Sequence, residues 1–142
     1  MVANQDRRTR YTVVLADDNK EMRDTVAKHL GSEFDVKRAV ADGRALVDTV
    51  LELQPDFAII DISMPVMNGI DAAIKIVKQG SATKMIFLTV NEDLDFVRAA
   101  FDAGGCGYVI KRSMAADLPK ALKAARAGTR FISSSCELLE ES

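Results

Sequence analysis

The chain alternates five short apolar runs with segments whose apolar residues recur at helical spacing. The apolar runs cover residues 11–16, 34–38, 57–60, 85–88 and 108–110. The first, third and fourth runs are almost continuously apolar, which is typical of parallel strands covered on both faces. The second run alternates polar and apolar residues and the fifth is short, which indicates edge strands. Strands alternating with helices predict βαβ crossovers and a parallel sheet between two layers of helices.

The helical segments differ in how clearly they are marked. Residues at i, i+3, i+4 and i+7 form the clearest apolar stripe: Ile70, Ala73, Ile74 and Val77. The last helix has a similar stripe and is predicted to stop at Gly128. Counted from Ser113 as its N-cap, Pro119 falls beyond the first turn, which predicts that this helix starts late or kinks. Five βα units within 142 residues indicate an α/β, flavodoxin-like doubly wound fold with a five-stranded parallel sheet in the order 2-1-3-4-5 and helices on both faces.

Length and composition indicate one domain and exclude several classes of protein. We expect an N-terminal tail at residues 1–10, the domain at residues 11–128 and a C-terminal extension at residues 129–142, in which Phe131, Ile132, Leu138 and Leu139 could add a helical turn. A hydrophobic content of 48% is too high for a disordered chain, and a net charge of −2 argues against binding to nucleic acid.

The lengths of the apolar runs and the spacing of the cysteines indicate the cellular location of the chain. No apolar stretch approaches the roughly 18–20 residues of a membrane helix, so no membrane partner is expected. Cys106 and Cys136 have no metal-ligand spacing and are interpreted as free thiols. The expected location is therefore cytoplasmic.

Polar side chains stand where four of the predicted strands end. Asp17 and Asp18 follow the first strand, Asp61 follows the third, Thr89 ends the fourth, and Lys111 follows the fifth. Taken singly, each residue fits a helix cap or a solvated loop. Taken together they converge on the carboxyl edge of the sheet, where ligands bind in such folds. Crowded carboxylates need a compensating cation, and an all-oxygen ligand set favours Mg²⁺ or Mn²⁺ over zinc.

These residues belong to motifs with a strong family resemblance. The motifs are LADD at residues 15–18, DISMPVMNG at residues 61–69, LT at residues 88–89 and GYVIK at residues 107–111. Over residues 11–128 the chain resembles the CheY-like receiver domain of two-component response regulators. Lys111 followed by Ser113, together with Asp117 and Gly128, is similar to the NarL/FixJ subgroup, whose members usually continue into a helix-turn-helix.

The resemblance implies a role for each residue of the metal-binding half of the site. Asp61 resembles the phosphorylated aspartate and is also a metal ligand. Asp18 resembles a direct Mg²⁺ ligand, and Asp17 a ligand that acts mostly through water. The backbone carbonyl of Ser63 would supply a further oxygen.

The resemblance also implies which residues bind the phosphoryl group and respond to it. Thr89 and Lys111 would hold its oxygens. Thr89 moving inward would let Tyr108, the aromatic switch residue, rotate from solvent toward the core. Receivers often have proline where this chain has Arg112, and many hold the bond after the lysine cis. The site geometry favours a cis Lys111–Arg112 bond, whereas a non-proline cis bond costs about 3–4 kcal/mol, so the sequence leaves the isomer open.

The implied function is a phosphorylation switch rather than an enzyme, apart from its own phosphotransfer and dephosphorylation. A sensor histidine kinase would donate the phosphoryl group. A homodimer partner or an output domain outside this chain would bind the face formed by residues 92–102, the fifth strand and residues 114–127, with transcription as the output. The chain itself is not expected to bind nucleic acid. The kinase, its signal, the target genes and the phosphoryl lifetime are not encoded in recognisable residues.

Three other functions fit parts of the pattern. A haloacid-dehalogenase-like phosphatase also uses an aspartate nucleophile and Mg²⁺, but it requires an acid two residues later, where this chain has Ser63. A flavin-binding protein of this fold needs a Ser/Thr-rich loop after the first strand, where Asp17 and Asp18 would repel a phosphate. A receiver that serves only as a scaffold would not need the complete acceptor set.

Overall fold

Six parallel strands form one sheet in the computed structural model, which describes residues 10–136. The strands are β1 (Tyr11–Ala16), β2 (Phe34–Val40), β3 (Phe57–Ile60), β4 (Lys84–Thr89), β5 (Gly105–Ile110) and β6 (Phe131–Ile132). Their order is β2-β1-β3-β4-β5-β6. The predicted fold class and the order of the first five strands are confirmed, whereas the prediction of five strands is wrong because β6 extends the sheet beyond β5.

Five helices connect the strands, and side chains define where four of them begin. The helices are α1 (Lys20–His29), α2 (Gly43–Leu53), α3 (Gly69–Lys78), α4 (Leu94–Asp102) and α5 (Met114–Arg126). Asn19, Asp42, Asn68 and Asp93 stand at the N-caps of α1 to α4 and accept hydrogen bonds from backbone N–H groups of the first turn. Short Asn and Asp side chains satisfy those otherwise unpaired donors, so each helix starts at a defined distance from the strand before it.

The helices cover both faces of the sheet, as the apolar runs predict. Successive strand residues point to opposite faces. Val14, Ile60 and Phe87 pack with α2, α3 and α4, whereas Val13 and Ile59 pack with α1 and α5. Because β1, β3, β4 and β5 are buried along most of their length, the ends of these strands and the loops that follow them are the places where polar chemistry can stand. No helix in the described part of the chain is long and apolar enough to cross a membrane.

The last helix departs from its prediction at the start and follows it at the end. It begins at Met114, directly after Ser113, and continues through Pro119, so the expectation of a late start is wrong. Leu118 and Leu122 are buried on either side of the proline, and this packing offsets the backbone hydrogen bond that proline cannot donate. Gly128, with φ of +78°, ends the helix as predicted.

The segment after α5 forms a strand rather than the predicted helical turn. Phe131 and Ile132 pair with Gly107 and Tyr108 of β5. Next to them, Ser133 donates its backbone N–H to the Tyr108 carbonyl at 2.9 Å. The Ser133 hydroxyl accepts from the Ile110 N–H at 3.0 Å. The open backbone groups at the edge of β5 therefore hold this short segment as a strand, although its sequence shows no alternation of polar and apolar residues that would predict one. Leu138 and Leu139 lie outside the described residues.

Candidate functional site

Three carboxylates meet at the carboxyl edge of the sheet. Ala16 and Ile60 are partners in neighbouring strands, so Asp17 and Asp61, which follow them, emerge side by side. Carboxylate oxygens of Asp17, Asp18 and Asp61 lie within 4.8 Å of one another. Asp17 and Asp61 are buried, whereas Asp18 is exposed. The structure thus brings together the three acids that the sequence placed at the ends of two separate strands.

Lys111 bridges the two buried carboxylates. Its Nζ lies 2.8 Å from Asp17 Oδ2 and 3.2 Å from Asp61 Oδ2. Burial lowers the pKa of Lys111, but the hydrogen bonds and charges of the two aspartates outweigh burial, so its pKa is raised overall. Burial raises the pKa of Asp61, and the Asp17 charge adds to that effect while Lys111 opposes it. Lys111 therefore stays charged and balances two acids whose repulsion would otherwise destabilise the site.

Arg23 supports the first acid from behind and was not singled out by the sequence analysis. Its Nη1 donates to the backbone carbonyl of Asp17 at 2.8 Å. Asp17 Oδ1 accepts from the Asn19 N–H at 2.9 Å, which turns the chain into α1. Both contacts hold the Asp17 carboxylate toward Lys111. The sequence signal for this role is the position of Arg23 one turn into α1, from which a long side chain can reach back to the end of β1.

The loop after β3 folds back tightly on Asp61. The Met67 N–H donates to the Pro65 carbonyl at 2.7 Å, and Val66 between them has φ of +68°. This is a γ-turn with a left-handed backbone that a β-branched residue rarely adopts. Gly69 then starts α3 against the backbone of Asp61, where an added Cβ would lie 2.3 Å from the carbonyl oxygen. The glycine of the DISMPVMNG motif is therefore required by space.

Thr89 and Tyr108 are linked through one loop residue. Thr89 is buried, and its Oγ1 accepts from the Asn91 N–H at 3.2 Å, which leaves its own O–H free to donate. The Tyr108 hydroxyl donates to the Asn91 carbonyl at 2.7 Å. Tyr108 is fully buried. Burial raises the pKa of Tyr108, so the hydroxyl stays protonated. The structure shows the inward of the two expected positions of this ring.

The turn that follows β5 carries Lys111 without a cis bond. All peptide bonds among residues 10–136 are trans, so the cis Lys111–Arg112 bond that the site geometry favoured is not found. Lys111 instead opens a single 3₁₀ turn that runs to Ser113. This turn aims the ammonium group at the two carboxylates and directs Arg112 outward to Glu92 on the loop after β4.

Comparison with known proteins identifies the family. The family described as response regulator receiver domain matches residues 13–123. The chain therefore belongs to the response regulator receiver family, whose members are signalling domains of two-component systems. The predicted membership of this family is confirmed, and its relatives include transcriptional regulators of the NarL/LuxR type.

Individual relatives agree with this assignment in sequence and in structure. The transcriptional regulatory protein LiaR of Bacillus subtilis (strain 168) is 35% identical over 118 residues, which cover 82% of this chain and 56% of LiaR. A LuxR-family response regulator from Aurantimonas sp. SI85-9A1 has a TM-score of 0.86 at 27% identity, covering 91% of this chain and 94% of that one.

A second solved structure is an isolated receiver domain. The RcsB receiver domain of Salmonella enterica serovar Typhimurium, solved with the phosphomimetic BeF3⁻, has a TM-score of 0.84 at 29% identity over 92% of this chain and 98% of that one. By contrast, this chain spans slightly more than half the length of the curated relatives it matches, between 52% and 56% for three of them.

Proposed function

We propose that this chain is a phosphorylation-controlled switch in which Asp61 accepts a phosphoryl group from a sensor histidine kinase. The observation that carries the proposal is the meeting of three carboxylates with the Lys111 ammonium at one edge of the sheet. The buried hydroxyl of Thr89, at the end of the next strand, completes the set. Acids, one cation and a hydroxyl donor are what transfer of a charged phosphoryl group requires.

The donor set fits a hard divalent cation. Asp17, Asp18 and Asp61 offer carboxylate oxygens close together, and the backbone carbonyl of Ser63 lies two residues after Asp61. These residues would hold Mg²⁺, or Mn²⁺ as an alternative, and the exposure of Asp18 leaves room for water ligands. When bound, the ion would neutralise charge on the transferred phosphoryl oxygens.

The protein groups divide the remaining work. The Asp61 carboxylate would attack phosphorus, so that an O–P bond forms while the P–N bond of the phosphohistidine donor breaks. Lys111 already contacts Asp61 and would turn its ammonium to a phosphoryl oxygen. The free O–H of Thr89 would donate to a second oxygen. Asp17 would remain as the partner that keeps Lys111 over the site.

The response would pass to the side of the molecule formed by α4, β5 and α5. The Tyr108 ring, held through the Asn91 carbonyl, connects the site to this face. Val90, on the loop before α4, is an exposed apolar residue that a partner could cover. We propose an output domain or a second copy of the chain as that partner, with residues 11–128 as the receiver and residues 129–142 as an extension toward the output.

The central test is phosphorylation of a single residue. Incubation with Mg²⁺ and a small phosphodonor such as acetyl phosphate is expected to add one phosphoryl group, which intact mass spectrometry detects. Asp61→Asn should abolish the adduct, because an amide is a poor nucleophile. The matched control Asp48→Asn, on the exposed side of α2, should be modified like the parent. An adduct of full yield on Asp61→Asn would overturn the proposal.

Metal binding provides a second prediction. Asp18→Asn is expected to weaken Mg²⁺ binding, measured by calorimetry, by about tenfold or more, because a charged oxygen ligand is lost. The metal-free variant should unfold at the same temperature as the parent or slightly higher, since Asp18 is exposed and its charge adds to that of two acids. Asp102→Asn, at the far end of α4, should change neither quantity. Unchanged Mg²⁺ affinity in Asp18→Asn would remove Asp18 from the site.

A further inference from the structure

Three contacts tie the loop between β4 and α4 to the rest of the site. Two were described above: Asn91 N–H to Thr89 Oγ1, and Tyr108 hydroxyl to the Asn91 carbonyl. The third is a two-pronged ion pair in which the Arg112 guanidinium donates to both carboxylate oxygens of Glu92, the Nη2–Oε1 bond being 2.8 Å long. Glu92 follows Thr89 by three residues, and Arg112 follows Lys111 directly.

We propose that Glu92 and Arg112 are positioning residues for phosphotransfer, an inference that rests on the proposed function. Their ion pair connects the loop that follows Thr89 with the 3₁₀ turn that begins at Lys111. A planar guanidinium bound to both oxygens fixes orientation as well as distance, which a single contact does not. The pair therefore fixes the segment that follows Thr89 relative to the segment that follows Lys111, the two residues proposed to hold the phosphoryl oxygens.

The exposure of the pair separates this role from a general contribution to folding. The side chains of Arg112 and Glu92 are 60% and 35% exposed. Ion pairs at this exposure add little to global stability. The chain contains a matched reference: Arg38 and Glu52 form an exposed Arg–Glu pair through one contact of 3.1 Å between β2 and α2, and neither residue contacts the site. If variants of Glu92–Arg112 slow phosphotransfer and a variant of Arg38–Glu52 does not, the slowing is due to where the first pair lies and not to the loss of an exposed ion pair.

The test measures the rate of Asp61 phosphorylation by phosphoramidate at saturating Mg²⁺. Arg112→Ala and Glu92→Ala are each expected to slow the reaction by about two- to fivefold. The phosphorylation rate of Arg112→Lys should lie between the rates of these variants and that of the parent, because an ammonium keeps the charge but cannot reproduce the two-pronged contact. The charge-reversed double variant Glu92→Arg/Arg112→Glu should recover most of the rate. Arg38→Ala should match the parent, and Mg²⁺ affinity without phosphodonor should be the same in all variants.

The outcomes distinguish this inference from the function on which it rests. A parent chain that takes up no phosphoryl group overturns both. A parent that is phosphorylated on Asp61 at the same rate as Arg112→Ala and Glu92→Ala overturns the positioning role alone. Equal slowing in Arg38→Ala, or a double variant no faster than the single ones, also overturns it, because either result indicates a general effect of surface charge.

Discussion

Gly69→Ala is expected to lower the free energy of unfolding by about 3 kcal/mol, as measured by urea denaturation. The new Cβ would lie 2.3 Å from the Asp61 carbonyl oxygen and 2.8 Å from a methyl carbon of Ile60. Neither neighbour is the flexible end of a long side chain. The start of α3 must therefore shift away from β3, and the strain falls directly on Asp61, the candidate phosphoacceptor.

A second glycine serves as the control for this prediction. Gly31, after α1, has only the end of the Glu33 side chain near an added Cβ, at 3.8 Å. Gly31→Ala should therefore change the stability by less than about 0.5 kcal/mol. Equal stability of Gly69→Ala and the parent would mean that the tight contact between α3 and Asp61 does not exist in solution.

Removing the cation at the centre of the site should have a comparable effect. Lys111→Met is expected to destabilise the metal-free chain by about 2–3 kcal/mol, because Asp17 and Asp61 would stay buried without their shared partner. Mg²⁺ can replace part of that lost charge. The increase in melting temperature on adding Mg²⁺ should therefore be larger for Lys111→Met than for the parent.

Thermal unfolding with and without Mg²⁺ checks both parts of this prediction. Lys120→Met, an exposed position on α5, removes the same charge far from the acids and should behave like the parent in both conditions. A Lys111→Met variant that is as stable as the parent without metal would show that the two carboxylates do not depend on the ammonium group.

The site could be predicted closely because its residues stand at the ends of strands. A parallel sheet brings all its carboxyl strand ends to one edge, so the strand pattern alone indicated that Asp17, Asp61 and Lys111 would meet. Burial on both faces leaves few other places for charged residues. The order of the first five strands was predicted by matching the five βα units to the flavodoxin-like fold, since crossover helices alone indicate a parallel sheet but not the order of its strands.

The features that the sequence did not indicate depend on contacts between distant parts of the chain. A two-residue strand such as β6 has no measurable period, and its structure is set by the open edge of β5. The continuous course of α5 through Pro119 depends on the burial of Leu118 and Leu122. The pairing of Arg112 with Glu92 depends on how two loops are placed, and no local pattern marks exposed charges as partners.

The short strand β6 also has a consequence for edge-to-edge association. An uncovered β5 would present an open row of backbone groups beside the buried, apolar Tyr108, Val109 and Ile110, and such an edge can pair with another chain. β6 and Ser133 occupy that edge, and the Ser133 hydroxyl is itself fixed by Asp117 Oδ2 at 2.8 Å. A chain shortened before Phe131 would lose this cover. Any oligomer that it forms would then reflect an exposed strand rather than a response to phosphorylation.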